Sequence, residues 1–298
     1  MIRKTIPMIA ATVGVMALLV GCAGGTPAPE PTEPGTTLEG PAALVPADVR
    51  ATGELRIGNS PVYPPMSYLP EGEEADENRI GFDVDLGTAI AEVLELTPVF
   101  ERQPYEQYIP SLGTGRLDVV HSAMQDLEER RTTVDFVDYY FTGPQIFTTA
   151  DRTDLTDVTD LCGGTIILDV GDVGYQDAVN TLSDEICGDN PIEIVPAAGT
   201  AEALLQLQQG RADATVRGAE SVRYLMSELE PGVYALVGEP IAEIPVGIAV
   251  AKTNTELRDA VAAAMQVLID NGTYQAIGEK WGLQDILIPA AMINGEEI

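Results

Sequence analysis

Few side chains in this sequence belong to the usual repertoire of chemical catalysis. His121 is its one histidine, at the end of a β-like run. Beyond the N-terminal stretch only Lys252 and Lys280 carry an ammonium, both in segments that read as peripheral. A general acid or base needs a tuned group poised against a substrate. One histidine without an identifiable nucleophile more often serves packing or a local hydrogen bond. No Gly-x-Ser-x-Gly elbow, His-Glu-x-x-His zinc pair or Gly-x-x-x-x-Gly-Lys phosphate loop is present. The pattern argues for binding rather than turnover, and neither a cofactor nor a metal is expected.

The three cysteines do carry chemistry. Cys22 ends the run Leu19-Val20-Gly21-Cys22, which resembles a bacterial lipobox. Arg3 and Lys4 precede an apolar stretch over residues 9–20, too short for a comfortable membrane span. Residues 1–22 are therefore read as a lipoprotein signal, with Cys22 lipidated and more than one acyl chain giving stable anchoring. Pro27, Pro29, Pro31 and Pro34 punctuate the adjoining segment, so residues 23–48 are read as a disordered tether and the folded part as beginning near Val49. Cys162 and Cys187 remain, in a compartment that permits disulfides, and are expected to pair; two free buried thiols are the alternative.

Composition narrows the partners. The 298 residues include 47 acidic and 16 basic side chains, a formal net charge of −31. Such a surface repels nucleic acid and anionic membranes, so nucleic acid is excluded as a partner and the membrane is reached only through the lipid. The hydrophobic fraction of 45% is ample for a core.

Positioning any binding group falls to an α/β chain, because short β-like runs alternate with helical patterns. Strands are expected over residues 55–58, 98–101 and 117–120. Asp83 is placed to cap a helix with Leu86, Ile90, Val93 and Leu94 on one face. The pattern restarts at Gln145, with strands over 165–170, 192–195 and 212–216 and helices over 175–182, 201–209 and 221–228. A return strand is expected over 246–251, then a long helix capped by Thr255, with Leu257, Val261, Ala264, Met265 and Leu268 on its apolar face. Two lobes result, 49–143 plus 246–298 and 144–245, joined by two crossover hinges near 141–147 and 244–248.

Several pieces, in order and spacing, resemble one family. They are Leu55-Arg56-Ile57-Gly58 with Tyr63-Pro64-Pro65, Gly81-Phe82-Asp83-Val84-Asp85-Leu86, Ile109-Pro110-Ser111-Leu112, Gly115-Arg116-Leu117-Asp118, Gly210-Arg211-Ala212-Asp213-Ala214 and Asn271-Gly272-Thr273-Tyr274. From about Gly53 to Asn294 the chain resembles the family 3 bacterial solute-binding proteins, polar amino-acid receptors of ATP-binding-cassette (ABC) importers. Cys162, Cys187 and the ending Ile293-Asn294-Gly295 resemble an actinobacterial lipoprotein branch of it. The resemblance implies the two-lobed type 2 periplasmic-binding-protein fold and a monomer on the outer face of the cell membrane. It implies an amino acid or amino-acid-like solute in the interlobe cleft and an ABC permease as partner.

By the same resemblance, Tyr63 and Tyr105 sandwich the solute's side chain, their rings giving apolar contact and a face for a cation. Arg130 forks onto its carboxylate. Ser122, Ala123 and Gln125 line the cleft, and Gly171, Asp172 and Val173 form a second-lobe turn whose N–H groups face an anion. Three positions depart from the family pattern. Leu127 replaces a threonine, Val173 a hydroxyl residue, and Gly218 the aspartate that meets the solute's ammonium. Asp172 or Glu220 could replace that carboxylate from a shifted position; otherwise the solute is not an ordinary α-amino acid. Two rival readings use the same fold: a dehydratase acting on prephenate- or arogenate-like acids, and a sensory surface lipoprotein.

Overall fold

A computed structural model describes residues 40–169 and 173–298. Cys22, Gly171 and Asp172 lie outside the described residues, as does most of the expected tether.

The described chain folds sooner than expected. Gly40–Leu44 forms a 3-10 turn and Ala47–Thr52 a short helix, with Ala42 and Val45 buried. The tether therefore does not extend to residue 48, which corrects the expectation. Proline density hid a few small apolar side chains that seal the helix Thr255–Asp270. Arg50 holds the turn through the carbonyls of Ala43 and Val45, at 3.2 and 2.5 Å.

Two sheets organise the rest. The larger has seven strands in the order Glu296–Glu297, Leu287–Ile293, Val134–Thr142, Ile244–Ala251, Val119–Val120, Glu54–Gly58 and Thr97–Glu101. The smaller has five, ordered Tyr234–Leu236, Pro144–Thr149, Ala214–Gly218, Thr165–Asp169 and Glu193–Ala197. The parallel partners of Glu54–Gly58 and Thr165–Asp169 are joined through helices, as parallel pairing requires. These are the two lobes of an α/β protein.

The helix Phe82–Val93 turns Leu86 and Ile90 into the larger core, as its spacing requires. Asp83 does not cap it. Gly81 holds that position at φ 142°, where a Cβ would lie 2.2 Å from the Met66 carbonyl oxygen, so only glycine fits. Thr255 likewise does not cap the long helix; Asn254 does, its side chain accepting from the Leu257 N–H at 3.3 Å. Leu257, Val261, Ala264, Met265 and Leu268 are buried on one face.

Val134–Thr142 carries no expected strand, yet it stands inside the larger sheet with nearly every residue buried. Asp135 and Asp138 break its apolar run. Asp135 is buried against Arg258 at 2.9 Å and Asn294 at 3.1 Å. Asp138 accepts the Gly295 N–H at 2.8 Å.

This strand ends at Thr142 and the next begins at Pro144 in the other sheet, so Gly143 alone spans the first crossing. The return crossing falls between Leu236 and Ile244 rather than at the expected 244–248, which lie inside a strand of the larger sheet, and it lies against the first. A Cβ on Gly143 would fall 1.7 Å from the Ala242 carbonyl oxygen. The Ile241 N–H donates to the Pro144 carbonyl at 2.8 Å, and Thr142 pairs with Ile244.

Cys162 and Cys187 form the expected disulfide, tying the approach to Thr165–Asp169 to the end of the helix Val173–Ile186. It closes a loop of 25 residues, which restricts the unfolded chain by about 3 kcal/mol. Replacing both cysteines by serine should lower the unfolding free energy by about that amount in urea titrations, with solute binding retained by the folded fraction.

A second expectation concerns pH. Burial raises Asp83 from 3.8 to about 7. A carboxyl with a raised folded-state pKa binds its proton more tightly when folded. Its contribution to stability is therefore complete below about pH 4 and declines as pH rises towards 7. Asp138, also buried and raised to about 7 beside Asp126, titrates in the same window. Asp83→Asn should remove up to about 1.4 kcal/mol per pH unit of that decline, read as the difference from wild type in unfolding free energy between pH 4 and 7.

Candidate functional site

A cavity of about 720 Å³ lies between the two sheets. Tyr63, Tyr105, Ser122, Ala123 and Gln125 all line it, five of the residues named from sequence.

The loop carrying Ser122, Ala123 and Gln125 is fixed on several sides. The Asn59 side chain donates to the His121 carbonyl at 2.7 Å, and the Ser60 N–H to the Ser122 hydroxyl at 3.2 Å. Gln125 bridges to Val246, and the Asp126 N–H donates to the Pro245 carbonyl at 2.8 Å. Ala123 takes a left-handed φ of 48°, unusual for a residue with a Cβ. Its N–H donates to the buried Asp83 carboxylate at 2.9 Å, which the Tyr139 hydroxyl also meets at 2.7 Å.

Arg130 is not among the lining residues but stands next to two of them, Tyr105 and Gln125; the arginine that lines the cavity is Arg102, paired with Asp76 at 3.1 Å. The Arg130 guanidinium donates to the Gln125 carbonyl at 2.8 Å and lies over the Tyr105 ring, 5.9 Å from the centroid. Neither Asp126 nor Glu128 pairs with it. Arg131 takes Asp126 in a two-pronged contact at 2.5 and 2.7 Å, leaving Arg130 without a carboxylate partner among the described residues. A guanidinium stacked on an aromatic ring and free of a counter-ion is positioned to receive an anion.

Tyr63 does more than present a ring. Its hydroxyl donates to Glu220, on the helix Ala219–Tyr224 of the other lobe, and accepts from the Ser221 hydroxyl at 3.1 Å. Burial, then the charge of Glu220, pushes its phenol well above the usual range, so it stays protonated and donating. Glu220 lines the cavity, is 3% exposed and also accepts from Thr142. Gly218 adjoins this cluster: a Cβ there would lie 2.6 Å from the Glu220 carboxylate. A second interlobe contact joins the Tyr68 and Tyr224 hydroxyls at 2.9 Å.

Gly171 and Asp172 are outside the described residues, and of Val173 only its place at the start of the helix Val173–Ile186 is described. The sequence reading missed Ser60, Gln103 and Tyr175, which also line the cavity. Gln103 is 7% exposed, with an amide nitrogen that has no partner among the described residues. No motif marks it.

His121 does not line the cavity. It is 1% exposed, and burial lowers its pKa to about 3, so it is neutral and makes no ion pair with Asp83 at 3.6 Å. Among the described residues no cluster could hold a metal ion, and no helix is long and apolar enough to cross a membrane.

Residues 55–284 match the family model for bacterial extracellular solute-binding proteins, family 3. The chain belongs to this family. An arginine-binding protein of Corynebacterium glutamicum, ArgT, is 33% identical over 258 residues, covering 86% of this chain and 83% of that one. The L-arginine-binding protein of Pseudomonas aeruginosa is 31% identical, with 78% of this chain and 89% of that one aligned. Among solved structures, an ancestral cationic amino acid solute binding protein superposes with a TM-score of 0.66 at 29% identity, covering 79% of this chain and 98% of that one. This family member is a solute-binding receptor with the two-lobed type 2 fold.

Proposed function

We propose that the receptor captures an amino acid or close analogue in the cavity between its lobes and delivers it to an ABC permease. Lipid on Cys22 would hold it, as a monomer, at the outer face of the membrane.

The observation that carries this reading is an interlobe cavity lined by Tyr63 and Tyr105, with Arg130 stacked on the Tyr105 ring just behind the lining and free of a carboxylate partner among the described residues. Tyr63 and Tyr105 supply ring faces for the solute's side chain. Arg130, next to the lining residues Tyr105 and Gln125, would turn its guanidinium to the solute's carboxylate. The relatives that bind arginine agree with a pocket for polar amino acids. The mechanism is a clamp. The lobe of the larger sheet holds the solute, the lobe of the smaller sheet closes over it, and the paired crossings around Gly143 and Ala242 take up the motion. A solute shifts this equilibrium only by its preference for the closed form. The permease then reads the closed shape, and the solute leaves unaltered.

Screening the twenty standard amino acids by thermal shift, then calorimetry on the best, tests the reading. Arg130→Ala should weaken that binding by about 10- to 100-fold, the loss of one charge-assisted contact. The melting temperature without solute should change little, since the side chain is half-buried and makes one carbonyl hydrogen bond. Unchanged affinity would count against the site. Turnover of prephenate or arogenate by the purified receptor would favour the dehydratase instead.

A further inference from the structure

We propose that Glu220 is the counter-ion for a cationic amino group of the solute, and that Gly218 is glycine because the Glu220 carboxylate fills the space before it. This rests on the amino-acid reading of the cavity above.

Glu220 is a buried carboxylate in the wall of the cavity. Its two oxygens accept from hydroxyls, Tyr63 on one side and Thr142 on the other. Among the described residues no lysine, arginine or histidine pairs with it. An ionised carboxylate offers about four acceptor sites. Two neutral hydroxyls fill two of them and leave the charge without a cation. Buried charges are ordinarily paired, because desolvation without a partner is costly. A solute ammonium entering the cavity supplies that partner and the remaining hydrogen bonds.

Gly218 shows that the arrangement is built. It ends the strand Ala214–Gly218, just before the helix that carries Glu220. A Cβ at 218 would fall 2.6 Å from Glu220 Oε1 and 3.1 Å from the Tyr63 hydroxyl. A side chain at 218 and a carboxylate reaching back from 220 therefore exclude each other. The chain keeps the second. The acidic group reaches the cavity from the first turn of the helix rather than from the strand end, with one lobe's hydroxyls bonded to the other lobe's carboxylate. A cation seated there is held where the lobes meet. With a carboxylate supplied from 220, the absence of an acid at 218 does not imply an unusual solute.

The test is calorimetry on the full receptor with the standard amino acid that binds tightest and with its des-amino analogue. Glu220→Gln keeps the shape and one acceptor oxygen, turns the other into an NH2 donor that a rotated hydroxyl can accept, and removes the charge. It should weaken the amino acid at least about 10-fold and leave the already weak des-amino analogue unaltered. Glu220→Ala should lose binding likewise, and Glu220→Ala combined with Gly218→Asp should recover at least part of it by returning a carboxylate from the strand end. Gly218→Ala, which crowds Glu220 without touching its charge, should weaken binding and covers the case in which Glu220 variants fold poorly. Unaltered affinity in Glu220→Gln would overturn the assignment, and a loss in Asp172→Asn instead would hand the role to Asp172. Should Arg130→Ala fail to weaken binding while Glu220→Gln does, the amino-acid pose falls and the cation site stands. Wild type that binds no amine-bearing solute would overturn both.

Discussion

The cleft depends on one buried carboxylate. Asp83 lies in the first turn of Phe82–Val93 and reaches across the larger lobe to two elements at once. Its oxygens take the Ala123 N–H from the cleft loop and the Tyr139 hydroxyl from the central strand. Ala123 can hold its left-handed backbone because Asp83 captures its N–H. That backbone turns Ser122 and Gln125 into the cavity. The cost is visible in the carboxyl itself, whose proton affinity rises with burial. Part of the lobe's stability is thus exchanged for the position of a loop.

Much of this was legible in the sequence. The periodicity of Leu86 and Ile90, and of Leu257, Val261 and Leu268, marks both principal helices, because apolar spacing comes directly from which face is buried. The cysteine pair is legible from compartment and count. Tyr63, Tyr105 and the Ser122–Gln125 loop became legible through family resemblance rather than local pattern, since neither tyrosine carries a mark of its own.

The hidden parts have a common cause: polar residues whose partners are distant in sequence. Asp135 and Asp138 make Val134–Thr142 look unlike a buried strand until Arg258 and Gly295, far along the chain, satisfy them. Asp83 looks like a helix cap by position, but its partners lie 40 and 56 residues on. Gln103 is an ordinary polar residue until the fold leaves its amide nitrogen beside a cavity. The turn at residues 40–44 is hidden for a different reason, because its neighbours' proline content outweighs two small apolar side chains that a helix near the C-terminus needs.

The interlobe chemistry obeys the same logic of partnership. Glu220 lines the cavity and Arg130 rests on Tyr105, which lines it too, and neither has an ion-pair partner among the described residues. Arg131 absorbs Asp126, which would otherwise neutralise Arg130. Two hydroxyls hold Glu220, and hydroxyls orient a carboxylate without cancelling its charge. A protein built for stability alone would have joined its free arginine and free glutamate, or replaced both. Keeping them apart, one resting on a tyrosine ring and the other held by a tyrosine hydroxyl, leaves both without an opposite charge among the described residues. Because Tyr63 and Glu220 belong to different lobes, whatever satisfies that carboxylate also bears on how firmly the lobes stay together. In this arrangement recognition and closure draw on the same few hydrogen bonds.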